Sequence, residues 1–231
     1  MQILPNIEII DLALWLKEEK TLIIGDIHLG YEEYLQHKGI LLPKNQARQI
    51  YQQLEKILKK VTPKRIIING DLKHEFGKVL RQEWKEVLKL IDFLLENCKE
   101  LILVKGNHDI VLGPIADKRD LTVVNDYQIK DILIVHGDKL VNTGAKTIII
   151  GHEHPSVTIK DERKRERYKC FLKGKWQKKE LIVMPSFNPL LEGTDIIKEQ
   201  LLSPFLTDIS KFEVFVASKG EVFRFGKVKN L

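Results

Sequence analysis

The chain has 231 residues, a formal net charge of +6, and hydrophobic and charged fractions of 43% and 30%, the profile of a soluble globular protein whose length suits a single domain, residues 1–231. No apolar stretch approaches the ~18–20 residues needed to cross a bilayer, so no membrane association is expected. Residues 1–16 carry Glu8 and Asp11 and lack the basic start of a signal peptide, and Cys98 and Cys170 are too few for a disulfide framework; the expectation is a cytoplasmic protein with reduced thiols.

In chain order, residues 7–10 and 12–16 read as short strands joined to a third, β-branched run at 21–25 by the turn 17–20. Ala47, Ile50, Leu54, Ile57, Leu58 and Val61 recur at helical spacing, which predicts a helix over 44–60, ended by Pro63. A strand follows at 65–69, then a second helix over 79–96 with Trp84, Val87, Leu88, Ile91, Leu94 and Leu95 on one face, then a strand at 101–104. Residues 110–117 are expected to form a short helix, and 122–124, 128–129, 132–135 and 147–150 to form strands. Residues 168–176 and 181–184 suggest a hairpin, the core of a basic insertion at about 156–184, and 212–217 with 221–225 a terminal hairpin turning at Lys219-Gly220. Strand, polar motif, helix and strand again is the rhythm of a layered α/β protein with its site at strand ends.

Six of the seven histidines fall in five short runs that follow such strands: Gly25-Asp26-Ile27-His28, Gly70-Asp71-Leu72-Lys73-His74, Gly106-Asn107-His108-Asp109, His136-Gly137-Asp138 and Gly151-His152-Glu153-His154. Only His37 lies outside them. Scattered core histidines would not be distributed this way. Asp26, His28, Asp71, Asn107, His136, His152 and His154 are too many for one tetrahedral zinc site and about right for two metals that share a ligand. Carboxylate, imidazole and amide donors suit borderline ions: manganese first, with iron, zinc or nickel as alternatives. Asp26-x-His28 and His152-x-His154 would share a face in an extended strand, but beyond the strand end the backbone is free to turn. Two metals ~3.5–4 Å apart serve hydrolysis of phosphate esters, by binding phosphate oxygens and lowering the pKa of a water.

These five runs resemble, in order and chemistry, the motifs of the calcineurin-like metallophosphoesterase superfamily. The resemblance implies a four-layer α/β/β/α sandwich of two mixed sheets with a dinuclear site at strand ends. It implies that Asp26, His28 and His154 hold one metal, that Asn107, His136 and His152 hold the other, and that Asp71 bridges. It implies that His108 faces substrate and serves the leaving oxygen, with Asp109 orienting its ring. The histidine three residues after Asp71 is similar to that of SbcD-type repair nucleases, which implies a substrate-facing role for His74; a surface histidine at a helix start is the alternative. The starts Gly25-Asp26-Ile27-His28-Leu29-Gly30 and Met184-Pro185-Ser186-Phe187-Asn188-Pro189 resemble an archaeal SbcD-related group of small phosphoesterases, for which a repair- or helicase-type partner protein is an expectation.

Between residues 160 and 179 there are ten Lys or Arg against three acidic residues, so the rest of the chain is near neutral. Arg163, Lys164, Arg165 and Arg167 are candidate nucleic-acid contacts, with Tyr168, Phe171 and Trp176 as stacking residues; a solvated, half-buried hairpin explains them equally well. Asp138 is read as a partner of His136 or a turn cap, Glu153 as pointing away from the ligands, Tyr31 and Tyr34 as packing or cleft residues, and Asn188 as close to the site. The apolar terminal hairpin would seal the core or make a homodimer. The expected activity is a two-metal phosphodiesterase, with nucleic acid as the leading substrate; a small-nucleotide phosphodiesterase, a phosphomonoesterase and an inert scaffold are the alternatives.

Overall fold

Apolar residues at every position of 22–24, 66–68 and 101–104 leave no face for water, and these runs become central strands buried on both sides. The computed structural model describes residues 1–75, 81–109, 119, 121–161 and 164–231. Its first sheet runs β1 (Gln2–Leu4), β2 (Ile7–Ile10), β3 (Ala13–Leu16), β4 (Thr21–Gly25), β5 (Arg65–Asn69), β6 (Glu100–Val104) and β7 (Thr122–Val124), side by side in that order. β1 to β4 form an antiparallel meander; β4 to β7 are parallel. The parallel part is fed by helices, as long crossovers require: α1 (Tyr31–His37) and α2 (Gln46–Leu58) lie between β4 and β5, and α3 (Arg81–Glu96) between β5 and β6.

Ile50, Leu54 and Ile57 of α2 and Val87, Leu90, Ile91 and Leu94 of α3 are buried in the same cluster as the strands. The helices expected at 44–60 and 79–96 are therefore present; residues 79–80 and the helix expected at 110–117 lie outside the described residues. Helix α1 has seven residues and no apolar stripe, so periodicity does not announce it.

The second sheet contains β8 (Asp126–Ile129), β9 (Ile132–Val135), β10 (Thr147–Ile150), β11 (Pro155–Asp161), β12 (Lys164–Trp176), β13 (Lys179–Val183), β14 (Thr194–Asp195), β15 (Glu213–Ser218) and β16 (Glu221–Lys227). Its order is β14-β11-β12-β13-β10-β9-β8, with β15 paired to β12 and β16 to β15. β9, β10 and β13 are parallel and most other pairs antiparallel, so both sheets are mixed. The segment anticipated as a basic insertion is not one: β12 and β13 sit inside this sheet, where β13 joins β12 to β10.

The strand period of two sorts the second sheet's side chains. Ile134, Ile149, Phe171, Ile182 and Phe215 pack into the first sheet's core, while their neighbours Leu133, Val135, Ile148, Ile150, Cys170, Leu172, Leu181 and Val183 form a second cluster. That outer cluster is closed by Ile196, Phe205, Leu206, Ile209 and Phe212, from a segment without a helix. Tertiary hydrogen bonds hold this backbone: the Glu153 carboxylate accepts from Leu202 N (2.7 Å) and Ser203 N (2.9 Å). The terminal hairpin seals the core through β15, whereas β16 leaves Phe223 and Phe225 exposed. No helix among the described residues is long and apolar enough to cross a membrane.

Phe171 is wholly buried between the sheets. Phe171→Ala leaves a cavity there and is expected to cost about 3–5 kcal/mol of stability, measured as a lower urea midpoint at unchanged m-value.

Candidate metal centre

All five histidine runs begin where a parallel strand ends. Asp26 and His28 follow β4, Asp71 follows β5 and Asn107 follows β6, three adjacent strands of the first sheet; His136 follows β9 and His152 follows β10, adjacent in the second. The carboxyl ends of both parallel sets open onto one crevice, where strand peptides run out of partners. The loops then zip together: Asp26 N donates to Gly70 O (3.1 Å), His28 N to Asp71 O (2.8 Å), and Gly151 N to His136 O (2.8 Å). Asn69, fully buried, joins the sheets by donating its amide to the Val135 carbonyl (3.1 Å).

Asp26, His28, Asp71, His152 and His154 all have left-handed backbone, with φ of 53, 47, 41, 61 and 49°. Such conformations cost a non-glycine residue of the order of 1 kcal/mol or more and persist where surrounding structure holds them. Here they decide the geometry: Asp26 and His28, like His152 and His154, converge by a turned backbone rather than by sharing the face of an extended strand. Two glycines make room. Gly70 (φ 80°) sits where a Cβ would collide with the His136 ring, and a Cβ on Gly151 would collide with the Asp26 carboxylate.

Donor atoms ~2.1 Å from a common ion lie about 3–3.5 Å from each other, and the cluster shows this spacing twice. His154 Nε2 is 3.4 Å from Asp26 Oδ1, and these two residues with His28 can present ligand atoms to one ion. His136 Nε2 lies 2.9 Å from Asn107 Oδ1 and 3.1 Å from His152 Nδ1. Asp71 Oδ2 is 3.5 Å from His28 Nε2 and 3.5 Å from His136 Nε2, equidistant from both groups. Asp26 Oδ1 is also 3.5 Å from His136 Nδ1, so both buried carboxylates stand between the two groups of imidazoles.

Electrostatics explain why this cluster fits cations. Asp26 and Asp71 are 0% and 2% exposed. Burial alone would raise Asp26, but the facing imidazoles of His154, His136 and His28 hold its carboxyl down at about 2. Burial and the nearby Asp26 charge push Asp71 upward. Burial also holds His28 and His136 in the neutral, ligand-competent form, well below the usual imidazole range for His28 and at about 4 for His136. Asp26 Oδ1, His28 Nε2 and His154 Nε2 are buried with no hydrogen-bond partner. Three orphaned atoms gathered together, one of them from a buried carboxylate and with a second buried carboxylate, Asp71, beside them, fit a divalent cation.

Backbone carbonyls and amides of these loops are held by residues around them. Ser186 Oγ donates to the Asp26 carbonyl (2.6 Å), and Asn188 Nδ2 (3.2 Å) and Gln46 Nε2 (2.8 Å) donate to the His28 carbonyl. Asn188 is fully buried and also accepts from Leu190 N, so it props the first motif and does not face a substrate. Lys169 donates its ammonium to the carbonyls of Ser186 and Asn188, clamping that loop. Asp109 departs from expectation: its carboxylate accepts from the amides of Leu72 (3.1 Å), Lys73 (3.4 Å) and Gly106 (3.1 Å), so it shapes the loop that carries Asp71 rather than orienting the His108 ring. The His108 ring is set by the His74 carbonyl, which faces its Nδ1. Asp138 pairs with Lys139 at 3.7 Å instead of capping His136, and Glu153 turns away from the ligands, as anticipated, to hold Leu202 and Ser203. Sequence patterning gives no sign of Lys73, a fully buried lysine whose ammonium reaches the Glu75 carbonyl.

His74 and His108 stack at 5.4 Å beside His28, and His74 Nδ1 is 3.4 Å from His28 Nδ1. Tyr31 and Tyr34 pack against His74, with ring centroids at 4.8 and 4.7 Å. Burial and the positive neighbours His108 and Lys73 lower His74 to about 4. The basic run is not at the centre. Lys164 and Arg165 are exposed at the far end of the β11–β12 hairpin, and Arg163 lies outside the described residues. Arg167 is taken by the Gly193 carbonyl (2.9 Å) and Glu199 (2.6 Å). Phe171 is core, and Trp176 packs on Phe205 at 4.9 Å, which leaves the half-buried Tyr168 as the one stacking candidate of the three.

Two substitutions test the centre. Asp71→Asn is expected to lower bound manganese at both positions together, read by elemental analysis; two retained ions would remove Asp71 from the bridge. Asp109→Ala, which strands three amides, is expected to weaken manganese binding about 10–100-fold by calorimetry, because the loop carrying Asp71 loses its support.

A profile described as calcineurin-like phosphoesterase matches residues 19–210. A search of curated protein sequences finds no match. Among solved structures, the chain is similar to the nuclease MPE of Pseudomonas putida, at 18% identity and TM-score 0.65 over 93% of this chain and 92% of that one. It is also similar to YfcE, a phosphoesterase from E. coli, at 14% identity and TM-score 0.44 over 88% and 96%, and to Vps29 of Entamoeba histolytica complexed with zinc, at 15% identity and TM-score 0.40 over 88% and 96%. The matched residues take in every one of the five histidine runs and the parallel strands that carry them, and the chain belongs to the calcineurin-like phosphoesterase family.

Proposed function

We propose that the protein is a two-metal phosphodiesterase whose substrate is nucleic acid. The observation that carries this reading is the pair His74 and His108, stacked beside His28 at the edge of the cluster, where the ligand atoms of the three rings lie close enough to meet one ion. A pair of divalent cations, manganese first, supplies stabilisation of phosphoryl oxygens and acidifies a water for in-line attack.

The chain's own residues do the rest. Asp26, His28 and His154 on one side, and Asn107, His136 and His152 on the other, would hold the cations, with Asp71 shared. A carbonyl only accepts, so the His108 Nδ1 facing the His74 carbonyl carries a proton. That fixes the ring and leaves Nε2, 4.0 Å from Asp71 Oδ2, directed at the centre. Nε2 is placed to hold a proton for the leaving oxygen. His74, packed between Tyr31 and Tyr34, is placed to steady the phosphate from the same side.

A diester rather than a monoester is favoured by two substrate-facing imidazoles with an aromatic border, and by the fold shared with a protein described as a nuclease. The similarity of Gly70-Asp71-Leu72-Lys73-His74 to SbcD-type repair nucleases supports the same reading. Lys164 and Arg165 are proposed as an outlying contact to nucleic acid: seven residues of β11 put the hairpin end about 20 Å beyond His154. A cytoplasmic site of action, a homodimer and a repair- or helicase-type partner belong to this reading.

The test is turnover of a chromogenic phosphodiester and the matching monoester by protein stripped of metal and then given manganese. Manganese-dependent diester cleavage, with cleavage of labelled DNA or RNA that weakens steeply with salt, is the expected result. Faster monoester cleavage overturns the reading. His108→Ala is expected to keep both metals and lose about 10²–10⁴-fold in kcat; undiminished turnover removes His108 from the mechanism.

A further inference from the structure

A cleft of about 650 Å³ is walled by α2, by β12 and by the β15–β16 turn. Lys56, Arg167, Lys169 and Lys219 line it against a single carboxylate, Asp11, whose Oδ1 already accepts from Gln53 Nε2 (2.9 Å). The cleft is therefore cationic, and its charges stand on separate walls rather than converging on one point. That suits an extended polyanion better than a single small anion.

The lining residues divide into two kinds. Arg167 and Lys169 are committed, to Glu199 with the Gly193 carbonyl and to the carbonyls of Ser186 and Asn188, and so form the wall. The side chains of Lys56, Lys219, Gln49 and Gln52 make no ion pair or hydrogen bond among the described residues. Gln49, Gln52 and Lys56 follow one another at helical spacing along α2, on a stripe distinct from its apolar stripe of Ile50, Leu54 and Ile57. Tyr168 adds a half-buried aromatic ring to the opposite wall. Cations for phosphates, amides for base edges and a ring for stacking are the components of a single-strand binding groove.

The cleft borders a loop that supports the centre. Pro189, on its wall, follows Asn188, whose amide holds the His28 carbonyl. Arg167 on the cleft wall lies 3.9 Å from Glu192, in the loop that follows Asn188. We propose that this cleft holds the single-stranded stretch of a nucleic acid leading away from the scissile phosphate, with backbone phosphates at Lys56 and Lys219 and bases against Tyr168 and Gln52. The assignment rests on the nuclease reading above.

The test compares wild type with the double variant Lys56→Ala/Lys219→Ala, both loaded with manganese, on a labelled single strand and on the chromogenic diester. The variant is expected to lose about tenfold in kcat/KM on the strand and to show a salt dependence shallower by about 1.4 in logarithmic slope, ~0.7 for each lost phosphate contact. Turnover of the small diester and the melting temperature stay at wild-type values. Wild-type efficiency of the variant on the strand overturns the cleft and leaves the nuclease reading standing; a wild type that cleaves no nucleic acid overturns both. Photo-crosslinking of an iodouracil-bearing strand to metal-free protein gives an independent readout. Crosslinks on Tyr168 or α2 support the cleft, and crosslinks confined to Lys164 and Arg165 overturn it.

Discussion

Two buried carboxylates, Asp26 and Asp71, are the constraint around which the structure is arranged. Each is nearly inaccessible to solvent, and each faces imidazole nitrogens at 3.4–3.5 Å. Buried charges of one sign are tolerated when cations or a dense set of donors answer them. Here the answer comes from both sheets at once: His28 from the first, His136 and His154 from the second. The facing of two sheets is therefore also the closing of an electrostatic circuit.

That circuit explains an accumulation of local strain. Five of the seven candidate ligands have left-handed backbone, a conformation no preference of Asp or His would repeat so often. The conformations are held from outside, by Ser186, Asn188 and Gln46 on the carbonyls of Asp26 and His28 and by Asp109 on the amides of the loop carrying Asp71. Lys169 secures the same loop as Ser186 and Asn188. The rigidity of the donor set is thus distributed over segments more than a hundred residues apart in the chain, which is why it needs the whole sandwich.

The basic run shows the same division of labour. Lys164 and Arg165 point to solvent, whereas Arg167 and Lys169, two and four residues further on, turn inward and bind backbone carbonyls. Charge density along the sequence does not separate these roles. A lysine that props a catalytic loop and a lysine that meets a phosphate look alike until their partners are known.

The sequence by itself determined a good deal. β-Branched runs followed by Asp, Asn or His located the parallel strands β4, β5, β6, β9 and β10, because a strand buried on both faces must be apolar throughout and its end must carry the polar groups. It also determined the donor inventory, since ligand chemistry is a property of residue type. Tertiary structure alone decided the rest. Whether Asp26 and His28 meet across an extended strand or a turned backbone depends on φ angles that neighbouring loops impose. Whether Asp109 holds a ring or a loop depends on which amides come within reach. Whether β12 and β13 form an insertion or the middle of a sheet depends on β10, which lies in another part of the chain, and long-range pairing leaves no local trace in composition or period.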